Sequence, residues 1–394
     1  MRVLVLSFYY RPDLCAGSFR TTPLVDALRE RAPPGTHVDV LTTLPNRYHT
    51  FTQDAADIET IDGIEIRRIK LPPHRSDMRG QSRAFLHFAR RALAIVAGRD
   101  YDVVFATSSR LMTAALGAWI ARRKRAALYL DIRDIFADAI KDVLPPPAAW
   151  PARLLFSSIE SWTIRRANRI NFVSRGFEDY FRTRYGDRSF AWFTNGIDDE
   201  FLAQRPTRIS RASADGLVTV LYAGNIGEGQ GLHQVLPGLA KELRSRARFI
   251  VIGDGGRRGA LEAALKKAGV NNVEIRAPMP RSALLQAYDE SDVLFLHLGA
   301  YRAFEKVLPS KVFEYAALGK PVLAGVGGYA ARFVREEVVN SAVFPPCNVQ
   351  AAVEAFGSLE LGYHPRPDFV AKYARANIAR AMADDVLALL PRPL

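Results

Sequence analysis

Cysteine and histidine are scarce in these 394 residues: two of the first, Cys15 and Cys347, and seven of the second. Two thiols cannot build a disulfide framework, and with so few imidazoles no zinc-ligand spacing emerges. A reducing compartment fits that usage. Long hydrophobic runs are missing too. The longest, "LMTAALGAWIA" at 111–121, falls short of the roughly 20 residues that cross a bilayer, so no membrane span is expected. The opening "MRVLVLSFYYRPD" alternates like a first strand and lacks a small-residue cleavage site, so it is not expected to be a secretory signal. Zinc-finger spacing, a basic recognition helix and an aromatic RNP strand are also absent. No nucleic-acid partner is expected, despite a net charge of +13.

That charge leaves two partner classes, a phosphorylated small molecule or an anionic membrane surface. Both halves are basic, with 31 Lys/Arg against 23 Asp/Glu up to residue 205 and 23 against 18 beyond it. The hydrophobic content of 48% is that of an ordinary globular protein, and the length suffices for two domains with full cores.

Strands and helices alternate along the chain. "RVLVLSF" (2–8), "HVDVLTT" (37–43), "IEIRRIKL" (64–71), "YDVVFAT" (101–107), "ALYLDI" (127–132) and "RINFVS" (169–174) form a first series, with helices expected around 20–31, 79–99 and from 112. "LVTVLYAGN" (217–225) begins a second series that continues through "RFIVIGDG" (248–255), "VEIRAP" (273–278) and "DVLFLHL" (292–298). This is the βα pattern of two open parallel sheets. The expected domains are 1–200 and 217–368, with a polar linker over 193–216 and a C-terminal helical segment, 369–394, packing back across both.

In such sheets ligands bind at the strand ends. Three glycine-rich turns follow strands, "LCAGSFR" (14–20), "AGNIGEGQG" (223–231) and "GDGG" (253–256), and each lets backbone N–H groups approach oxygens closely. Singly, each is also ordinary turn chemistry. A fourth feature is "KVLPSKVFEYAALGKPVLAG" (306–325). Pro309 suits a first helical turn and Gly319 a left-handed exit, so the segment reads as a helix feeding a buried strand over Pro321–Ala324. The helix mouth at Ser310 and Lys311 can hold a phosphate. With a rise of roughly 1.5 Å per residue, Glu314 lies about 6 Å further on. There it can accept from a vicinal diol such as ribose, or serve only as a favourable first-turn acid.

Taken together, "FYYRPDLCAGSFR", "LDIRDIFADAI" (130–140), "NFVSRGFEDYF" (171–181), "FTNGIDDEF" (193–201), "LYAGNIGEGQGL" (221–232) and "EKVLPSKVFEYAALGKPVLAG" (305–325) resemble the family 4 glycosyltransferases of the GT-B fold. The likeness is to the bacterial subgroup that builds surface polysaccharides and O-antigens and is similar to N-acetylfucosamine transferases. It implies two Rossmann-like domains facing a cleft, and a retaining transfer of a sugar from a nucleotide-diphosphate donor. The donor is expected to be UDP-linked and the sugar an N-acetylated hexose or deoxyhexose. The acceptor is expected to be a glycan or a polyprenyl-diphosphate-linked glycan. No metal or cofactor is expected, because no Asp-x-Asp stands at a strand end.

Residue by residue, the resemblance assigns Glu314 to the ribose, the Ser310 and Lys311 amides to the diphosphate, and Gly224 and Asn225 to the phosphates and sugar. Gly17 and Ser18 match the first-domain glycine loop. The first acid of the family's E-x7-E motif would fall on Lys306, with Glu305 one residue early, and the usual lysine after the second-domain turn is Gln230. Lys311 or Arg20 is expected to replace that positive charge. Front-face retention needs no Ser–His–Asp nucleophile, because the leaving diphosphate helps to take the acceptor proton. Asp134 is expected at the acceptor or donor sugar, or else in a loop salt bridge with Arg133.

The helix expected over 79–99 interleaves Arg79, Arg83, Arg90, Arg91 and Arg99 with Phe85, Leu86, Phe88, Leu93, Ile95 and Val96. That pattern suits an anionic lipid surface or a domain helix with a solvated basic face, and "RRKR" (122–125) extends it. Peripheral attachment to the inner face of the cytoplasmic membrane is the location expected. Two other readings stay open: a UDP-N-acetylglucosamine 2-epimerase of the same fold, and a binding module without turnover. A dehydrogenase is disfavoured, since "GDGGRRG" does not follow a first strand.

Overall fold

The computed structural model describes all residues except 14, 46–54, 74–77, 109–110, 136–145, 203–215 and 392–394, and only the backbone of 78–79 and 146–153. Two compact units result, Met1–Asn195 with Arg375–Leu394, and Gly196–Ala374. Most of the expected linker therefore lies outside the described residues.

The first unit's strands are β1 (Arg2–Leu6), β2 (His37–Thr43), β3 (Ile58–Ile61), β4 (Ile64–Ile69), β5 (Val103–Thr107), β6 (Ala127–Ile132), β7 (Arg169–Phe172) and β8 (Phe190–Ala191). They form one sheet in the order β3-β4-β2-β1-β5-β6-β7-β8. Only the β3–β4 hairpin is antiparallel. The central strands are continuous apolar runs rather than alternating ones, because helices cover both faces. The second unit holds β9 (Val218–Ala223), β10 (Ala247–Ile252), β11 (Val273–Arg276), β12 (Val293–His297), β13 (Val322–Gly325) and β14 (Ser341–Phe344). Its order is β11-β10-β9-β12-β13-β14, all parallel. In each sheet the strand order reverses beside the first strand, between β1 and β5 and between β9 and β12. Such switch points open a crevice at the carboxyl ends.

Two expectations change. The first glycine-rich stretch is not a free loop, since the helix Ala16–Arg31 begins at once and takes Gly17, Ser18 and Arg20 into its opening turns. Gly17 permits this, because a Cβ there would stand 3.2 Å from the Tyr9 ring. The C-terminal segment is not one helix either. Extended backbone at Ala374 separates Pro367–Tyr373 from Arg375–Leu387. Phe369 and Tyr373 pack on Phe313 and Phe333 of the second unit. Ala379, Met382, Ala383 and Val386 instead complete the first unit's core with Leu24, Leu28 and Val40.

Arg20, expected to meet a phosphate, is only 6% exposed and already engaged. Its Nε and Nη2 donate to the two Asp131 oxygens at 2.7 and 2.8 Å, and Nη1 and Nη2 reach the Thr194 and Phe193 carbonyls. Asn171 donates to Asp131 as well, at 2.8 Å. Burial pushes the Asp131 carboxyl up, but Arg20 outweighs it and holds the group below the ordinary carboxylate range. Arg20 is thus a structural cation. Replacing it (Arg20→Met) strands a fully buried charge and is expected to cost about 3–5 kcal/mol in urea denaturation. Adding Asp131→Asn should recover part of that loss.

Candidate active site

At the second switch point β9 ends in the turn Gly224–Gly231, and the turn after β10 is pressed against it. A Cβ on Gly253 would stand 1.8 Å from the Gly224 carbonyl oxygen, so only glycine fits. Neighbouring groups hold the first turn in shape. Asn225 Nδ2 donates to Gln230 Oε1 at 2.9 Å, and the Gly227 amide approaches the same oxygen at 3.3 Å. The Gly299 amide, after β12, donates to the Gly229 carbonyl at 2.8 Å. His297, the last residue of β12, uses both ring nitrogens: Nδ1 lies 2.6 Å from the Gln230 carbonyl and Nε2 accepts from the Cys347 amide at 3.0 Å. Those partners fix the tautomer with the proton on Nδ1. Burial drives its pKa down to about 4, against the pull of the Gln230 carbonyl.

Beside this turn stands the helix Lys311–Ala317, with Gly319 at φ +67° as its exit. Tyr315 links the two, its hydroxyl accepting from the Ala223 amide at 3.2 Å. The helix opens with the Val312 and Phe313 amides on the Pro309 and Ser310 carbonyls. The Ser310 and Lys311 amides have no acceptor among the described residues. Glu314 is half-buried on the same side, its Oε2 accepting from Lys311 Nζ at 2.8 Å while Oε1 has no partner among the described residues. Lys311 Nζ also reaches Tyr288 Oη at 3.2 Å. Burial lowers the Lys311 pKa, but the Glu314 charge outweighs it and raises the group above its ordinary value. The Lys311 side chain turns back onto Glu314 instead of standing free at the helix mouth.

At the first switch point β6 runs into Arg133 and Asp134. The Arg133 amide donates to Ser108 Oγ, after β5, at 2.9 Å. Its Nη1 is buried without a partner and lies 3.5 Å from where a Gly17 Cβ would be. Burial and the nearby Arg20 charge both lower its pKa. No Arg133–acid salt bridge forms among the described residues, because Arg20 has taken Asp131. Asp134 is open to solvent at its surface, yet crowding strips enough water to push its carboxyl up to about 6, against the Arg133 charge. The rest of that motif, 136–140, lies outside the described residues.

The structure thus gathers Gly224, Asn225, Gln230, Ser310, Lys311 and Glu314 in the second unit, and Gly17, Ser18 and Asp134 with buried Arg20 in the first. Glu305 and Lys306 lie on a short 3-10 segment, Arg302–Lys306, whose Phe304 ring packs on Gly229. Sequence reasoning set Arg133 beside Asp134 after the strand but missed the placement of Tyr288 and Tyr315 against Lys311 and the first turn. The only signal was their position beside residues already singled out.

Residues 18–190 match the Glycosyl transferase 4-like domain, and residues 204–376 match Glycosyl transferases group 1. The chain belongs to the family 4 glycosyltransferases of the GT-B fold. A stretch of 111 residues is 32% identical to the putative colanic acid biosynthesis glycosyl transferase WcaI of Escherichia coli, covering 27% of this chain and about a quarter (26%) of that relative. Two solved structures are similar across nearly the whole chain. Anabaena HepE with UDP and glucose has a TM-score of 0.61 at 18% identity, over 99% of this chain and 97% of its own. The lipopolysaccharide outer core galactosyltransferase WaaB has 0.67 at 10%, over 99% and 100%.

In this member of the family, His297 braces the turn and is not free for chemistry. Its folded pKa is depressed, so below pH 6.5 the unfolded chain takes up a proton that the folded one refuses. Its contribution is complete above 6.5 and is lost as pH falls towards 4. From pH 7 to 4.5 the wild type should lose about 2–3 kcal/mol more stability than His297→Gln, measured by urea denaturation at each pH.

Proposed function

We propose that this glycosyltransferase transfers an N-acetylated hexose or deoxyhexose, with retention, from a UDP-linked donor to a lipid-linked glycan in surface-polysaccharide synthesis. The observation that carries the donor half is Glu314, held by Lys311 through one oxygen with the other open, beside two uncommitted helix-mouth amides and a backbone-lined turn. Oε1 has the two lone pairs that a ribose diol needs, and the amides suit the diphosphate. Departure of the diphosphate builds negative charge, which fixed N–H groups stabilise better than water because they need no reorganisation. The acceptor proton then passes to a diphosphate oxygen, so positioning is the protein's other task. At the first switch point, Arg133 offers an unused guanidinium N–H to an anionic group. Asp134, with its raised pKa, is suited to a substrate hydroxyl near neutral pH.

The membrane half rests on the helix Met78–Val96. Its Phe85 and Phe88 are buried against Phe8, while Leu86 and Leu93 face outward with Arg83 and Arg90. Arg99 does not join that face, being paired with Asp39 and Glu65. Among the described residues no helix is long and apolar enough to cross a membrane. The outward face suits attachment to anionic lipid.

Calorimetry and thermal shift with UDP, GDP, ADP, dTDP and their sugars, with NAD as control, test the donor. Selective stabilisation by UDP and UDP-sugars is expected, whereas indifference to all of them would favour a glycan-binding module, and isomerised sugar without transfer an epimerase. Glu314→Gln should weaken UDP binding roughly tenfold or more, the worth of one lost charged hydrogen-bond acceptor. An unchanged affinity would reduce Glu314 to a surface cap.

A further inference from the structure

On the edge of the first unit, away from its switch point, a groove of about 600 Å³ runs between β4 with the segment after it and the helix Met78–Val96. Its floor is aliphatic, made by Ile58, Ile69, Leu71 and Ile95 with Pro72 and Pro73. Arg67, Arg68, Lys70, His87 and Arg91 line it, against one acid, Asp57. Two of these cations are neutralised: Arg67 by Glu65 and Arg68 by Glu59. Lys70 and Arg91 are exposed and have no ion pair among the described residues. Arg68 is 6% exposed, and although Nη1 and Nη2 reach the Ala56 and Arg11 carbonyls, its Nε–H is buried without a partner.

From this combination we infer that the groove binds the phosphate or diphosphate head, and the first carbons of the chain, of a single-chain lipid phosphate. Lys70 and Arg91 supply uncompensated charge for the head, and both line the groove and are exposed. The aliphatic floor takes the chain, for which a free sugar phosphate has no counterpart. A polynucleotide is poorly served, because among the described lining residues no Phe, Tyr or Trp stands to stack on a base. A bilayer meets proteins on a flat or convex face, whereas this site is concave and sized for one ligand. The binding itself stands apart from the transferase reading. Only the role as seat of the acceptor's carrier rests on it.

The test is titration of the full chain with farnesyl diphosphate, inorganic pyrophosphate and farnesol in parallel. Farnesyl diphosphate should bind roughly tenfold or more tightly than either fragment. Lys70→Glu with Arg91→Glu should weaken it by roughly the same factor. Lys266→Glu with Lys267→Glu, the same charge change on exposed lysines of the second unit, should leave it within about twofold. Equal binding of pyrophosphate, or equal loss in both variants, would overturn the groove in favour of general charge. Phosphatidylglycerol vesicles that bind as well as farnesyl diphosphate and depend equally on Lys70 and Arg91 would overturn it in favour of bilayer docking. The UDP thermal shift is recorded on every variant. A preserved shift shows that the second unit is intact and unchanged urea denaturation that the first is too, and a wild type that responds to UDP but not to farnesyl diphosphate sinks the groove while leaving the donor reading standing.

Discussion

A guanidinium and a carboxylate that left water together, Arg20 and Asp131, set the frame of the first unit. Taking two charges out of solvent is costly unless every donor and acceptor is then used, and here Asn171 and the Phe193 and Thr194 carbonyls complete the set. The pair joins the helix after β1 to the end of β6 and to the chain leaving β8, three segments distant in sequence. It also decides what is left over. With Asp131 engaged by Arg20, Arg133 is left with a buried Nη1 that has no hydrogen-bond partner.

The second unit solves a similar problem with almost no charge. Its two glycine-rich turns lie backbone on backbone, and the gap that a Cβ would fill is occupied by a carbonyl oxygen. Amide–carbonyl contacts and one neutral histidine keep the first turn in place, so its N–H groups are oriented before any ligand arrives. The ion pair Lys311–Glu314 belongs to the same economy: the lysine sets the direction of the carboxylate and leaves one oxygen open. The substitution of Gln230 for a family lysine fits this arrangement, because Gln230 ties the turn together through both its side chain and its carbonyl.

Excess positive charge is therefore not spread evenly over roles. Arg20, Arg68 and Arg99 are tied to acids inside or at the edge of the first unit, and Arg366 caps carbonyls in the second. Among the exposed cations left over, Arg83, Arg90, Arg91 and Lys70 lie on the helix Met78–Val96 and the neighbouring strand edge, and Lys266 and Lys267 on the second unit. The helix face that mixes Leu86 and Leu93 with Arg83 and Arg90 is amphipathic, apolar and basic side by side.

The sequence by itself determined the two parallel sheets, because apolar strand runs separated by helical periodicity have one stable layered solution. It also determined the glycine turns, the exit at Gly319 and the short helix carrying Glu314, all of which depend on local backbone preferences. It did not determine which charges are free. Arg20, Lys311 and Arg99 read as candidates for an anion, and each is held by an acid that lies on a different strand or points back along the same helix. The helix after β1 began earlier than its glycine suggested, since the missing Cβ of Gly17 lets the first turn pack against Tyr9. Pairing of charges and close backbone approach depend on distances between segments far apart in the chain, and only the tertiary structure fixes those.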